Sequence, residues 1–182
     1  MDIFDAVMSN QKPTTFEEVV EKYSEFVYNV ALRTVSDPVE AEDVTQEACI
    51  DAYRAWDRFR GESQVSTWLY RITVNRSLMR LRKGKRARQF SYTPIEDANL
   101  VSTDEGPERA AVSAELRGKL EEAIGSLPDD LRVAVVLRDV QGLSGVEAAE
   151  VLNVSVSALK ARLHRGRILL REQLQDYIQA PK

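Results

Sequence analysis

Carboxylates recur at four-residue spacing early in this 182-residue chain: Asp43, Glu47 and Asp51, with Gln46 beside them. On a helix that spacing lines up one face. Like charges so placed repel by roughly 0.2–0.5 kcal/mol per pair. A chain keeps such a row for solubility or because a basic partner docks on it. Acid–base catalysis or metal binding would need a pocket and nearby ligands. The chain has one His and one Cys, which leaves no zinc-site spacing. Cys49 reads as a small buried apolar residue. No catalytic residue, metal site or cofactor is expected, and the chain reads as a binder, not an enzyme.

Two further groups of side chains suit nucleic acid. The segment from Trp56 to Arg88 interleaves aromatics with cations. Within it Trp68, Leu69 and Ile72 read as core. Tyr70, Arg71, Val74, Asn75, Arg76 and Arg80 form a candidate polar or nucleic-acid face. Unstacked bases need a π surface and phosphate neutralisation, which such a face supplies. The loop carrying Arg60 and Ser63 could shape a pocket for an extruded base. A Trp and a Tyr at helical spacing are also ordinary core residues, and arginine runs are often just solvated.

The second group lies near the C-terminus, in LSGVEAAEVLNVSVSALKARLHRGRILLREQL. Ser144 and Glu147 form a capping-box pair that starts a helix. Asn153-Val154 makes a short turn, and Ser155 caps a second helix whose core side is Val156, Leu159, Leu163 and Leu170. At 100° per residue the opposite side presents Ser157, Ala161, His164, Arg165 and Ile168. Small and hydrogen-bonding side chains on an outward face suit the major groove. Lys160, Arg162 and Arg167 suit phosphates. The other reading is the solvated face of an ordinary helical hairpin.

Charge distribution supports the nucleic-acid readings. Net charge is −4, but residues 1–66 hold 6 basic and 14 acidic side chains, 67–90 hold 8 and none, 91–130 hold 3 and 10, and 131–182 hold 8 and 5. Two basic blocks separated by acidic ones suggest two nucleic-acid contacts and a surface meant for something basic.

The positioning elements are helices throughout. Phe16, Val19, Val20, Tyr23, Phe26, Val27, Val30 and Ala31 recur at three-and-four spacing. Asp37-Pro38 stops that helix and starts the next, which runs to about Asp57. A third is expected over about 67–83. Periodicity is lost over 84–112 and returns as helices at 113–125, 128–140, 144–151 and 155–177. The expected fold is all-α: two small helical domains, 1–84 and 113–182, joined by a flexible linker over 85–112. The N-terminus has no signal-peptide pattern and no apolar run long enough for membrane insertion, so a cytoplasmic protein is expected.

Three stretches in order, AEDVTQEACIDAYRAWDRF, FRGESQVSTWLYRITVNRSLMRLR and LPDDLRVAVVLRDVQGLSGVEAAEVLNVSVSALKARLHRGRILLREQL, resemble the extracytoplasmic-function (ECF) sigma factors over roughly residues 16–175. The resemblance implies a region 2 bundle and a region 4 helix-turn-helix. It implies an alternative sigma factor that binds core RNA polymerase and directs promoter-specific initiation. Asp43, Gln46, Glu47 and Asp51 match the polymerase-binding surface. Arg60, Ser63, Trp68, Tyr70, Arg71, Asn75, Arg76 and Arg80 match the part that melts and reads the single-stranded −10 element, with Asn75 at a flipped base. Ser157, Lys160, Ala161, Arg162, His164, Arg165 and Arg167 match the reader of duplex −35 DNA. An anti-sigma factor is an implied partner. Gly145 departs from the family, where a larger residue is common, and Ala161 and His164 occupy positions that vary. The alternative is a helix-turn-helix regulator that does not bind core polymerase, which leaves the acidic face unexplained.

Overall fold

The computed structural model of the chain describes residues 15–90 and 107–179, with side chains assigned over 15–84 and 115–175. The described residues are helical, with no strand among them. Helices α1 (Phe16–Val35), α2 (Pro38–Ala55) and α3 (Val65–Phe90) form the first unit, with a 3₁₀ turn at Trp56–Arg58. Helices α4 (Pro107–Ser126), α5 (Asp129–Val135), α6 (Gly145–Val151) and α7 (Val156–Gln179) form the second. The expected linker falls mostly outside the described residues. Its two ends are helical: α3 continues to Phe90 through the Lys/Arg/Ala-rich run, and α4 begins at Pro107.

Local chemistry sets the boundaries. Thr15 caps α1, its hydroxyl accepting from the Glu18 N–H at 3.3 Å. Ser36 ends α1 in the left-handed region, at φ 59°, its N–H donating to the Leu32 carbonyl. Asp37 accepts from the Glu40 N–H at 2.9 Å, and Pro38 occupies the first turn of α2. The capping box of α6 is complete: Ser144 Oγ accepts from the Glu147 N–H at 3.2 Å, and the Ser144 N–H donates to the Glu147 carboxylate at 2.8 Å. Asn153, at φ 51°, turns the chain into α7, and Ser155 Oγ accepts from the Ala158 N–H at 3.1 Å. The Val136–Val140 segment after α5 is one π turn, a widening that the periodicity did not announce.

The first unit is built on the apolar stripes of α1, α2 and α3. Val19, Tyr23, Val27, Ala48, Ala52, Val65 and Leu69 pack as one cluster, closed by Phe16, Trp56, Phe59 and Trp68. Trp56 and Phe59 stack with centroids 5.8 Å apart, and Phe59 meets Trp68 at 4.9 Å. The second unit buries Leu127, Leu137, Val151 and Leu159 almost completely, each side chain contributing about 2 kcal/mol. Gly166 lets α7 approach α5 closely, since a Cβ there would lie 2.9 Å from Val135 Cγ2. Gly145, the family departure, faces open space, so the missing side chain leaves no hole.

The two units are packed against each other. Val30, Tyr70 and Val74 of the first join Ile124, Leu127, Val133, Ala148, Ala149 and Val151 in one core cluster.

Candidate nucleic-acid interface

The second helix of the helix-turn-helix presents its outer face to solvent. Leu159 and Leu163 are buried on the core side, while Ser157, Lys160, Ala161, His164 and Arg165 are exposed. Val156, expected on the core side, is partly exposed at the start of the helix. Two cations of the expected set pair with carboxylates, while Arg165 Nε donates to the Ala161 carbonyl of its own helix at 3.4 Å. Arg162 is half-buried and lies 3.9 Å from Asp130. Arg167 grips Asp139 with both nitrogens, Nε to Oδ2 at 3.0 Å and Nη2 to Oδ1 at 2.6 Å, and this bidentate bond raises its already high pKa. Arg167 therefore ties α7 to the π turn instead of standing free for phosphate.

Helix α3 differs. Trp68 is half-buried in the aromatic cluster. Tyr70 is only 5% exposed, so it does not present its ring to solvent here: α1 and α6 cover it. Its phenol is pushed well above its ordinary pKa, first by burial and then by Tyr23 and Glu147. Arg71 donates to the Glu150 carboxylate of α6 at 3.0 Å. Asn75 is exposed at a cleft of about 530 Å³ that Arg71, Ala149, Glu150, Asn153 and Ser155 also line. Arg60 is exposed in the loop before α3, and Ser63 is half-buried there.

Arg76 and Arg80, expected to face DNA, turn instead to the acidic row of α2. Arg76 bonds to Asp51 and lies 3.5 Å from Glu47. Arg80 reaches Glu40 at 3.2 Å, Asp43 at 3.3 Å and Glu47 at 3.2 Å. The acidic row was expected on a face turned away from the core. It lies along the seam with α3, where two arginines offset the repulsion between like charges. Asp43 and Gln46 remain exposed, while Glu47 and Asp51 are half-buried. The reason for both placements is the same: the partners lie 25 to 40 residues apart in sequence, beyond any local spacing rule.

One residue that spacing missed is Arg132, 8% exposed. Its Nη1 donates to the Thr34 carbonyl at 2.7 Å, and Nη2 to those of Gly125 and Leu127, the latter at 3.0 Å. Those carbonyls end α1 and α4, where helices leave acceptors unpaired and dipoles turn negative. Burial lowers the guanidinium pKa and Asp129 opposes that shift. A lone cation inside the apolar run Leu131–Leu137 was the available signal.

The sequence matches Sigma-70 region 2 over residues 19–87 and Sigma-70 region 4 over 117–170. It is 38% identical over 170 residues to the ECF RNA polymerase sigma factor SigW of Bacillus subtilis, covering 88% of this chain and 89% of that one. It is 37% identical over 169 residues to the ECF RNA polymerase sigma-E factor of Escherichia coli, covering 90% and 88%. The chain belongs to the ECF sigma factors. Among solved structures, the sigma factor RpoE from Bartonella quintana, crystallised with the anti-sigma factor NepR, matches this sigma factor with a TM-score of 0.74 at 25% identity, over 88% of this chain and 96% of that one. The two regions of the sigma factor coincide with its two helical units, and the helix-turn-helix lies within region 4. Among the described residues no helix is long and apolar enough to cross a membrane.

Proposed function

We propose that the chain binds core RNA polymerase in the cytoplasm and directs initiation at its own set of promoters. It acts by binding and carries no catalytic group. Residues 1–84 act as the polymerase-binding and −10 unit, 85–112 as the linker, and 113–182 as the −35 unit. The exposed edge of the acidic row, Asp43 and Gln46, with Glu47 and Asp51 behind it, meets a basic surface of the polymerase. The outer face of α7 enters the major groove of the −35 element, with Arg165 and His164 toward base edges and Lys160 toward phosphate. Helix α3 and the Arg60–Ser63 loop read the melted −10 strand, with Asn75 at an extruded base.

The observation that carries this reading is the split character of α7. Leu159 and Leu163 are buried on one side, and Ser157, Ala161, His164 and Arg165 are exposed on the other. The small Ala161 in that face permits close approach to base edges. An anti-sigma factor is a partner of the Bartonella quintana relative, and a protein antagonist of that class is expected here.

The test is in vitro transcription with core polymerase on genomic fragments, with start sites mapped. Start sites that require the chain and share upstream elements at two positions are expected. Transcription that does not depend on the chain, or no association with core, would contradict the reading.

A further inference from the structure

Arg80 sits among more negative charge than it can neutralise. Its Nη1 lies 3.2 Å from Glu40 Oε2, and its Nη2 lies 3.3 Å from Asp43 Oδ2 and 3.2 Å from Glu47 Oε1. One guanidinium thus serves three carboxylates. The Glu40 oxygen facing it is buried and accepts no hydrogen bond, so Arg80 holds it by charge alone. Arg76 lies next along the seam, bonded to Asp51 and 3.5 Å from Glu47. Four carboxylates therefore share two arginines, and the row keeps a surplus of negative charge. The partners are unequally exposed. Arg80 has 24% of its side chain accessible, against 44% for Glu40, 54% for Asp43 and 45% for Glu47. The cation is on the inner side of the row, and the carboxylates face outward.

We propose that Arg80 is an internal counter-ion that weakens docking of the polymerase's basic surface on α2, so that affinity for core is set in part by how firmly Arg80 holds Asp43 and Glu47. The inference rests on the docking role given to α2 above. Carboxylates at four-residue spacing repel, and a cation on the seam offsets that repulsion. Arg80 supplies it, and in doing so competes with the partner's cations for the same oxygens. A cation arriving from solvent at Asp43 or Glu47 meets a guanidinium already seated on both. It must displace Arg80 or share the carboxylates with it, and in both cases the attraction is smaller than on a bare row. Part-exposed pairs of this kind hold the fold only weakly. Arg80 can therefore be removed at small cost to the fold while its effect on an incoming basic surface is lost.

The test is a competition titration of the chain and its variants against core RNA polymerase at low and high salt, with unfolding curves for each protein. Arg80→Met removes the charge and keeps most of the apolar stem. Arg80→Gln removes the charge and keeps a hydrogen-bond donor. Both should bind core about fivefold more tightly than the unaltered chain at low salt, and the gain should shrink at high salt, where charges are screened. Arg80→Lys should bind like the unaltered chain. In a background of Asp43→Asn with Glu47→Gln, Arg80→Met should give no gain, because no charge is left there to uncover. A merely structural role would not produce tighter binding in one background and none in the other. Folded Arg80→Met and Arg80→Gln proteins that bind core no more tightly overturn the counter-ion role. A gain that persists in the Asp43→Asn, Glu47→Gln background overturns it too, since the effect would not pass through these carboxylates. If both neutral variants lose the helical fold, Arg80 is a structural tie and the proposal is again overturned. Asp43→Arg that leaves core affinity unchanged overturns the docking reading itself, and the inference with it.

Discussion

Helices α3 and α7 carry similar sequence signals and end in different circumstances. Both are basic, both start beside a polar loop or turn, and both have residues suited to nucleic acid on one side. In α7 the outer face is exposed, and the cations it commits to carboxylates, Arg162 and Arg167, lie on its flanks. In α3 the corresponding residues are occupied: Tyr70 and Val74 by region 4, Arg71 by Glu150, Arg76 and Arg80 by the carboxylates of α2. The difference shows that a basic helix advertises a potential contact, and that the surrounding helices determine whether it is free. It also bears on the acidic row of α2, whose charges serve the fold along their inner edge and remain available along their outer one.

The largest test of this comparison is at the boundary between the units. Arg132→Met would leave the Thr34, Gly125 and Leu127 carbonyls without their donor, at a cost of about 3 kcal/mol. Urea unfolding should show that loss, and an unchanged midpoint would mean that Arg132 holds nothing. Next is the seating of α7: Gly166→Val would push a side chain into Val135 and should lower stability by about 2 kcal/mol, read by thermal unfolding. That loss would confirm that the exposed reader depends on a close helix crossing.

Within α7, Arg165→Ala should weaken −35 duplex binding by about 1–3 kcal/mol. Arg167→Ala should weaken it less, since its guanidinium is already held by Asp139. Equal losses in a gel-shift titration would erase the distinction between the cation without a carboxylate partner and the one with it. On α2, Asp43→Arg should reduce core polymerase affinity about tenfold and cost less stability than Glu47→Arg, since Asp43 pairs with Arg80 alone. Glu47→Arg should lose affinity and also a few tenths of a kcal/mol of stability, because it turns an ion-pair partner of Arg76 and Arg80 into a third cation. Pull-down with core polymerase alongside unfolding curves separates the two effects.

The smallest expected effect is a pH response. The folded Tyr70 phenol has a raised pKa, caused mainly by burial, so folding favours its protonated form. The contribution is fully present below the ordinary tyrosine pKa near 10 and is lost as pH rises above it toward the folded value. Tyr70→Phe should flatten that alkaline decline in a stability-versus-pH series. An equally steep decline in the variant would assign it to other groups, Tyr23 among them.

Much was legible in the chain alone because it is governed by near neighbours. Helix starts at Asp37 and Ser144 follow from side chains bonding backbone groups three residues on. The apolar stripes of α1 and α2 and the two faces of α7 follow from a 3.6-residue period. The two-unit organisation follows from the loss of that period between them. The π turn left no such trace, because widening one turn changes the hydrogen-bond register without changing residue character. The order of three family motifs, with their acidic, aromatic-basic and helix-turn-helix chemistry, also resides in the linear chain.

What the tertiary structure alone decided is which charged groups are free. The sequence by itself determined that carboxylates line α2, that arginines line α3 and that an arginine interrupts the apolar run of α5. It did not determine that the first two sets meet, that Arg71 finds Glu150 79 residues away, or that Arg132 reaches the end of α1 98 residues away. Local structure depends on spacing along one helix. The availability of a charge depends on which other helix packs beside it, and that is set by burial of apolar faces over the whole chain. The acidic row, the most conspicuous chemistry in the sequence, is therefore part seam and part surface.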